Sequence, residues 1–299
     1  MSSGVRQMLL STLLFALMNV CVKQLGRLPA LEIIFARALI SLALSYVAVR
    51  RAGLKIGGDG ENRWLLISRG ATGALALILY FASLQHLPLA VAVTLQYLSP
   101  ITTALVGIWA VKEPVRPVQW GFFALAFAGV LLTQADRATL PADAPLWIAL
   151  GIGSAVLSGF SYNTIRRLRG REHPLVVVFW FPLVALPIGL AGTVLHGLWP
   201  TPVEWCWLLA TGVFTQGAQI TMTRAYQAEE LSKVASLNYI GVLYAVALGY
   251  LLFDEKLGPL VLTGLALVLA GVVANVWYKQ HQEQKAKLVA EVVAPEPGV

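Results

Sequence analysis

The chain has 299 residues, of which 58% are hydrophobic and 12% are charged, and its mean hydropathy is +0.72. Soluble domains carry about 45–50% apolar and about 25% charged residues, so this composition excludes an ordinary soluble globule and a disordered chain. The net charge of +7 does not indicate a nucleic-acid partner, because a basic excess in a membrane protein usually marks its cytoplasmic loops. The composition therefore indicates a polytopic membrane protein.

Long apolar runs, separated by charges or by proline and glycine, divide the chain into membrane-length segments. A bilayer core of about 30 Å needs roughly 20 apolar residues per helix, and lipid offers backbone amides no partners, so these segments must be helical. The predicted spans are 5–26, 31–50, 64–85, 88–111, 117–135, 146–166, 174–196, 203–224, 232–253 and 259–278. We therefore predict an all-α membrane protein with ten transmembrane helices and a disordered cytoplasmic tail over 279–299.

The basic residues lie mostly on one side of the predicted bundle. Ten spans place both termini on the same side, here called side A, whose loops and ends hold 16 of the 22 Lys and Arg residues, whereas the opposite side B holds four. The positive-inside rule predicts that side A, with both termini, is cytoplasmic. Arg37 and Arg69 fall inside spans. We interpret them as side chains that snorkel to the interface, with attraction of a substrate carboxylate as the alternative.

The two halves of the chain match each other at an offset of 142 residues, most clearly where 95–113 aligns with 237–255 without a gap. The coinciding residues include Tyr97 and Tyr239, Glu113 and Glu255, Pro117 and Pro259, and Gly129 and Gly271. Each half has five spans, an odd number, so the two halves must enter the membrane in opposite orientations. We predict a first five-helix repeat in residues 1–140 and an inverted second repeat in 141–278, an architecture typical of alternating-access transporters.

In both halves a span ends in Glu, a Pro follows, and a helix of small residues closes on Ala-Gly-Val. With the segment 69–100, this pattern resembles the EamA-type, ten-helix members of the drug/metabolite transporter superfamily, and within them the amino acid exporters of the YddG type. The resemblance covers about residues 5–278. It implies a central substrate cavity, alternating access and export of amino acids or similar metabolites. The second half has Gly241-Val242 where the first has Ser99-Pro100, so the two halves need not bend alike.

Polar side chains inside membrane spans are energetically unfavourable and usually face a cavity or another helix. Amides bind both the carboxylate and the ammonium group of a zwitterion, and phenol rings suit its apolar or cationic parts. The candidate substrate-binding residues are Asn19, Tyr80, Gln96, Tyr97, Ser99, Tyr162, Gln216, Asn238, Tyr239 and Tyr244. The alternative for each is a hydrogen bond that joins two helices.

Two further features concern movement and loop structure. Pro100 is predicted in the middle of a helix, where it removes a backbone hydrogen bond, and is either a hinge between open states or a static kink. Glu113 and Glu255 end their spans beside Lys112 and Lys256, and we interpret these carboxylates as loop anchors rather than substrate ligands.

These features together indicate a transporter of the bacterial inner membrane that exports amino acids, aromatic and others, with broad selectivity. The alternatives are an exporter or importer of another small metabolite or drug-like cation, a channel, or a membrane enzyme. The sequence has no P-loop and no catalytic or metal-binding motif, so no catalytic residue, metal or cofactor is expected. The predicted partners are amino acid substrates and the bilayer, and the chain is either a monomer or a homodimer.

Overall fold

The computed structural model describes residues 2–87, 92, 95–134, 144–253 and 258–293. This part of the chain contains helices and no β-strand. The helices are α1 (Ser3–Gln24), α2 (Ala30–Arg51), a short 3₁₀ helix (Gly60–Asn62), α3 (Arg63–His86), α4 (Ser99–Ala110), α5 (Pro117–Gln134), α6 (Ala144–Arg167), α7 (Pro174–His196), α8 (Pro202–Ala228), α9 (Leu231–Leu237), α10 (Ile240–Phe253) and α11 (Pro259–Val293).

Seven segments of the described chain are long and apolar enough to cross a membrane. They are Ser3–Gln24, Ala30–Arg51, Gly60–Ser83, Ala144–Arg167, Pro174–Leu195, Leu231–Leu252 and Pro259–Gln282. Two shorter apolar helices, Ser99–Ala110 and Pro117–Leu132, lie between them. The remaining predicted span corresponds to α8, which is long enough at 27 residues but less apolar, because it carries buried polar side chains such as Thr211 and Gln219.

The helices pack in the pairs that an inverted repeat requires. α1 packs along α8 and α6 packs along α3, while α2 packs on α7 and α5 packs on α11. The offset of 142 residues relates α1 to α6 and α3 to α8, so the α1–α8 pair is equivalent to the α6–α3 pair. In each of the other two pairs, the same offset relates one helix to its partner. The predicted fold class, an all-α membrane protein built from two inverted five-helix repeats, is confirmed.

Glycines bring α5 and α11 close together in a symmetric way. A Cβ atom on Gly129 would lie 2.5 Å from the carbonyl oxygen of Gly264, and a Cβ atom on Gly271 would lie 2.7 Å from that of Phe122. The offset relates Gly129 to Gly271 and Phe122 to Gly264, so the two contacts are equivalent. Small residues allow membrane helices to approach closely, and this explains why glycine occurs at both positions.

The fourth and ninth spans are both interrupted, at positions that differ by one residue under the offset of 142. A turn at Tyr97–Leu98 precedes α4, and a turn at Asn238–Tyr239 separates α9 from α10. At the first break the N–H of Leu98 donates to the carbonyl of Leu95 at 3.1 Å, and bonds between residues three apart also cross the second break. Such bonds satisfy the backbone by tightening it into a 3₁₀ turn.

Pro100 lies in the first turn of α4, not in the middle of a helix as the sequence predicts. Proline is well tolerated there, because the first N–H groups of a helix have no intrahelical partner. The ninth span breaks within one residue of the matching position without a proline. The departure of Gly241-Val242 from Ser99-Pro100 therefore does not remove the break from the second half.

The last helix also differs from the sequence-based expectation. α11 continues to Val293, whereas the sequence predicts a disordered tail from residue 279. The segment 279–293 is rich in Lys, Gln, Glu and Ala, which are strong helix formers and extend the existing helix. Residues 294–299, and the predicted boundary between the repeats at 140/141, lie outside the described residues.

Loop contacts show which helix ends share a side. On side B, Arg27 forms a bidentate ion pair with Glu204, with Nη2 2.6 Å from Oε2 and Nε 2.9 Å from Oε1. Glu204 also closes a capping box with Thr201 at the start of α8. On side A, the backbone N–H of Asp59 donates to Oε1 of Glu172 at 2.5 Å. These contacts join the loop between α1 and α2 to α8, and the loop before α3 to the loop before α7.

Candidate functional site

Two candidate tyrosines meet where the two halves of the molecule cross. Tyr97 and Tyr239 are equivalent in the repeat, each lies at a helix break, and their rings stack with centroids 6.1 Å apart and planes at 26°. Tyr239 is fully buried, and its hydroxyl has no hydrogen-bond partner among the described residues. Tyr97 is half-buried, and Tyr80 lies close enough to interact with it electrostatically. The structure thus brings three candidates together at the pseudo-two-fold axis, and we call Tyr97 and Tyr239 the axis tyrosines.

Two other candidates converge on a residue that the sequence analysis missed. The ring of Tyr162 stacks on that of Tyr226, with centroids 4.9 Å apart and planes at 16°. The side-chain amide of Asn238 donates to the hydroxyl of Tyr226 at 3.0 Å, and Tyr226 is fully buried. The predicted span stops at residue 224 because of Arg224, whereas α8 continues to Ala228. That early end placed Tyr226 outside the membrane in the prediction.

Gln96 contacts the neighbouring helix α6 through both ends of its amide. Its Oε1 accepts from the hydroxyl of Ser154 at 3.0 Å, and its Nε2 donates to the hydroxyl of Ser158 at 3.3 Å. Ser99 is buried, and its carbonyl accepts from the hydroxyl of Thr103 at 2.6 Å. These contacts favour helix joining for Gln96 and a place inside the α4 backbone turn for Ser99.

Gln216 joins α8 to α2 in the same manner. Its Oε1 accepts from the hydroxyl of Ser41 at 2.5 Å, and its Nε2 donates to the hydroxyl of Ser45 at 2.8 Å. All three side chains are buried. Because both ends of the amide already have protein partners, the contacts of Gln216 match the alternative interpretation, a hydrogen bond between helices.

The two remaining candidates, Asn19 and Tyr244, lie apart from these contacts. Asn19 is exposed on α1, and Tyr244 is half-buried on α10. For both residues, contact with a substrate stays a prediction.

Arg69 is buried, so the expectation that it snorkels to the interface is wrong. Its side chain is 2% exposed. Its Nη1 donates to the hydroxyl of Ser161 at 2.8 Å, and its Nη2 donates to Oε1 of Gln219 at 3.2 Å. The guanidinium lies 5.2 Å from the ring centroid of Phe181. The Nε atom has no partner among the described residues. The tyrosine pair Tyr162 and Tyr226 is also close enough to interact electrostatically. We call Arg69, Ser161, Tyr162, Phe181, Gln219 and Tyr226 the arginine cluster.

The charge of Arg69 is not balanced by an ion pair with any described carboxylate. Arginine remains protonated in proteins, and a charged side chain at the centre of a membrane helix costs about 2.5–3.5 kcal/mol on an insertion scale. Neutral hydrogen bonds and the ring of Phe181 offset part of this cost. Arg37, the other arginine within a span, is half-buried, and its Nη1 donates to the sulfur of Met18 at 3.7 Å.

Glu113 anchors the end of α4 on side A. Its Oε1 accepts from Nε of Arg166 at 2.6 Å, and its Oε2 accepts from the backbone N–H of Leu231 at 2.8 Å. The anchoring role that the sequence suggests is confirmed, although the partner is Arg166 on α6 and not the adjacent Lys112. Lys112 has a φ of 57°, and this left-handed residue turns the chain after α4. Glu255 lies outside the described residues.

Further ion pairs join helix ends on side A near Glu113. Nζ of Lys233 is 2.9 Å from Oε2 of Glu229, and Lys279 pairs with Glu230. Burial raises the pKa of Glu229, but hydrogen bonds from Ser2 and Lys233 outweigh this effect and hold the pKa below its usual value. We give the name side A seal to the residues that make these contacts: Glu113, Arg166, Glu229, Glu230, Leu231, Lys233 and Lys279.

Comparisons with known proteins agree with this architecture. The model of the EamA-like transporter family matches residues 2–134 and 145–277. The pseudopaline exporter CntI of Pseudomonas aeruginosa is 31% identical over 280 residues, which cover 92% of this chain and 96% of that protein. The riboflavin transporter of Rhizobium johnstonii is 26% identical, covering 94% of this chain and 93% of that protein.

The fold is also found in a solved protein. A crystal structure superposes with a TM-score of 0.84 at 18% sequence identity, covering 94% of this chain and 99% of the other. At that identity the likeness concerns the fold alone. The family match extends over both halves of the chain, and the relatives are transporters. The chain is therefore a multi-pass membrane protein that belongs to the EamA-like transporter family.

Proposed function

We propose that this chain exports amino acids, aromatic and others, by alternating access. It would lie in the bacterial inner membrane, with side A in the cytoplasm and transport from side A to side B. The observation that carries the proposal is the meeting of the two broken spans at the axis tyrosines, Tyr97 and Tyr239, which stack on each other. In transporters built from inverted repeats, the substrate site typically lies at the interface of the repeats and is formed by discontinuous helices.

Alternating access follows from the exchange of conformations between the two halves. Each half of an inverted repeat can adopt the conformation that the other half holds, which converts a state open on one side into a state open on the other. We infer that the side A seal holds side A closed in this structure, because Glu113 bonds to both Arg166 and Leu231. The exchange would open side A and close side B around the axis tyrosines.

The side chains of the interior suit a solute with a carboxylate and an apolar or aromatic part. The candidates contribute phenols and amides, and the arginine cluster adds one buried cation, Arg69. Between residues 2 and 278, every described Asp and Glu lies in a loop or in the first turn of a helix. The interior therefore carries positive charge and aromatic surface, which favours an amino acid over a cationic drug.

The orientation rests on the distribution of basic residues. Side A carries 16 of the 22 Lys and Arg residues, and cytoplasmic loops carry such an excess. An exporter in this orientation takes up its solute when the side A seal is open.

A second candidate substrate is pseudopaline. The relative CntI is named as an exporter of that compound and is 31% identical to this chain over 92% of its length. Export of pseudopaline or a chemically similar compound therefore stands beside amino acid export.

Both candidates are tested with the full chain in liposomes. Vesicles preloaded with one unlabelled compound are supplied with its labelled form, using aromatic, aliphatic, acidic and basic amino acids and pseudopaline, with and without a pH gradient. We expect labelled aromatic and large aliphatic amino acids to accumulate unchanged and with saturable rates. Accumulation of pseudopaline alone would select the second candidate, and accumulation of no amino acid would overturn the first. Chemical conversion of the label would indicate an enzyme, and a non-saturating flux would indicate a channel.

Two tyrosine variants test whether transport depends on the axis tyrosines. Tyr97→Ala removes one ring of the stacked pair and should reduce exchange at least about tenfold, since aromatic packing contributes strongly to binding. Tyr46→Ala is the matched control, because Tyr46 is 48% exposed on the outer face of α2. Equal loss in both variants would contradict the assignment of the pathway to the axis tyrosines.

A further inference from the structure

Arg69 has an unused hydrogen-bond donor, Nε, in a region where burying a charge is energetically unfavourable. Arg69 is 2% exposed, and its two hydrogen-bonded acceptors, Ser161 and Gln219, are both neutral. A polar but uncharged residue would fill the same space at lower cost, because intramembrane charges are unfavourable. A buried cation that lacks an anionic partner among the described residues is therefore better explained by an anion that arrives with the solute.

We propose that Arg69 binds the carboxylate of the transported solute when the side A half of the pathway is open. This inference rests on the proposed transport function and extends it by naming the group that is recognised and the residue that binds it. The ligand is a small molecule with a free carboxylate. It would compete with the side-chain carbonyl of Gln219 for Nη2 of Arg69.

The free donors of Arg69 match the two oxygens of a carboxylate. Guanidinium presents its N–H groups in a planar fork, and Nε together with one Nη nitrogen binds a carboxylate through two parallel hydrogen bonds. Nε has no partner, and Nη2 makes the longer of the two hydrogen bonds, 3.2 Å to Gln219. A carboxylate that displaces Gln219 gains both bonds and leaves the 2.8 Å bond from Nη1 to Ser161 in place.

The surroundings of Arg69 hold the guanidinium in place and offer an apolar wall. A Cβ atom on Gly73 would collide with the guanidinium and lie 2.9 Å from the ring of Phe181, so glycine keeps this space open. The stacked rings of Tyr162 and Tyr226 also lie close enough to the charge to interact with it. A solute carboxylate at Arg69 would have this aromatic pair beside it for an apolar or aromatic side chain.

The position of Arg69 explains why it is closed off in this structure. Arg69 lies six residues after the start of α3 on side A, which is about 9 Å along a helix. The side A seal lies on the same side, where Glu113 joins α4 to α6 and to the start of α9. Opening of the seal would admit a solute to the arginine cluster before it reaches the axis tyrosines.

The experiment compares carboxylates with the corresponding primary amides on the purified full-length chain. The probes are two matched pairs, phenylacetate with phenylacetamide and L-phenylalanine with L-phenylalaninamide, and the readout is the shift of the thermal unfolding midpoint with probe concentration. We expect the wild-type chain to bind each carboxylate about tenfold more tightly than its amide, as charge-assisted bidentate bonds imply. In Arg69→Gln this preference should disappear, while the midpoint without a probe stays the same or rises.

Further variants separate recognition from structural support. Arg69→Lys keeps the charge but lacks the fork and should retain only part of the preference, and Gly73→Ala should reduce the preference by displacing the guanidinium. Both also serve if Arg69→Gln does not fold. Arg37→Gln, which removes the other arginine within a span, is the control and should keep the wild-type preference.

The outcomes distinguish this inference from the proposed function. A wild-type chain without a carboxylate preference in either pair would overturn the role of Arg69. An unchanged preference in Arg69→Gln, or in both Arg69→Lys and Gly73→Ala, would also overturn it. A preference for phenylacetate over its amide, without one for phenylalanine, would support carboxylate binding at Arg69 and contradict amino acid transport. Loss of both preferences in Arg69→Gln supports both.

Discussion

Gln216 lies between two serines of α2, which occupy both its carbonyl and its amide group at 2.5 Å and 2.8 Å. Tyr239 is just as deeply buried, yet its hydroxyl has no partner among the described residues. The two residues look alike in the sequence, as polar side chains within apolar runs. At the residue scale, a satisfied side chain stabilises the bundle, whereas an unsatisfied one has hydrogen-bonding capacity left for a solute.

Replacement of Gln216 tests this distinction. Gln216→Leu leaves the hydroxyls of Ser41 and Ser45 buried without their partner, so we expect a loss of about 1 kcal/mol in stability. Exchange per folded molecule should stay unchanged. Thermal unfolding and liposome exchange on the same preparation measure the two effects.

A triple variant provides the control for this prediction. Replacing Ser41 and Ser45 by Ala together with Gln216→Leu removes the unpaired groups and should restore most of the stability, since loss of both partners is nearly neutral. A selective loss of exchange in Gln216→Leu, with normal stability, would instead place Gln216 in the substrate pathway.

The broken fourth and ninth spans carry the main lesson at the element scale. The first break is followed by Pro100 in the first turn of α4, and the second, at Asn238–Tyr239, has no proline. Tertiary packing and 3₁₀ hydrogen bonds are therefore sufficient to interrupt the helix. Seven successive buried residues in α9, Leu231–Leu237, show how completely the first part of the ninth span is enclosed.

Pro100→Ala should consequently have little effect. Proline in the first turn of a helix sacrifices no intrahelical hydrogen bond, so alanine should preserve the break and change the free energy of unfolding by less than about 1 kcal/mol. Liposome exchange should stay within about twofold of the wild-type rate, which is under 1 kcal/mol in activation free energy. A large fall in exchange at normal expression would return Pro100 to the role of a hinge.

At the scale of the whole molecule, the side A seal connects the ends of several helices. Glu113 lies at its centre, because it bonds to Arg166 on α6 and to the first backbone N–H of α9. Breaking these contacts weakens the closed form without touching the axis tyrosines. The seal is therefore the part of the molecule where a single carboxylate should change the balance between the two states.

Glu113→Gln should shift the chain toward the state that is open on side A. Loss of the charge-assisted bond to Arg166 weakens the seal, and a change of about 1.4 kcal/mol would raise the open fraction about tenfold. The measurement is the labelling rate of Ser232→Cys by a membrane-impermeant thiol reagent applied from side A, with Cys21 and Cys206 replaced by serine. Ser232 is 4% exposed at the start of α9.

Glu172→Gln is the matched control for Glu113→Gln. Glu172 also lies on side A, but it binds the backbone of Asp59 and the side chain of Asn62 in the loop before α3. We expect an unchanged labelling rate at Ser232→Cys. Equal rates in both variants and the wild-type chain would show that Glu113 does not control the opening of side A.

Hydropathy, charge and internal similarity are properties of the chain order, and they predicted the spans and the inverted repeat without a structure. The cytoplasmic position of side A stays a prediction. The bilayer imposes the length of a helix and the distribution of basic residues directly on the sequence. The equivalent residues Tyr97 and Tyr239 stack on each other in the structure. The equivalent Gly129 and Gly271 make symmetric contacts between α5 and α11.

Only the tertiary structure decided what each polar side chain does. It enclosed Arg69 among Ser161, Gln219 and Phe181, where the sequence alone suggested an interfacial arginine, and it placed Tyr226 in the interior beyond the predicted span. It also paired Glu113 with Arg166, 53 residues away, in place of the adjacent Lys112. The depth and partners of a side chain depend on how helices far apart in the sequence pack, and no local pattern contains that information.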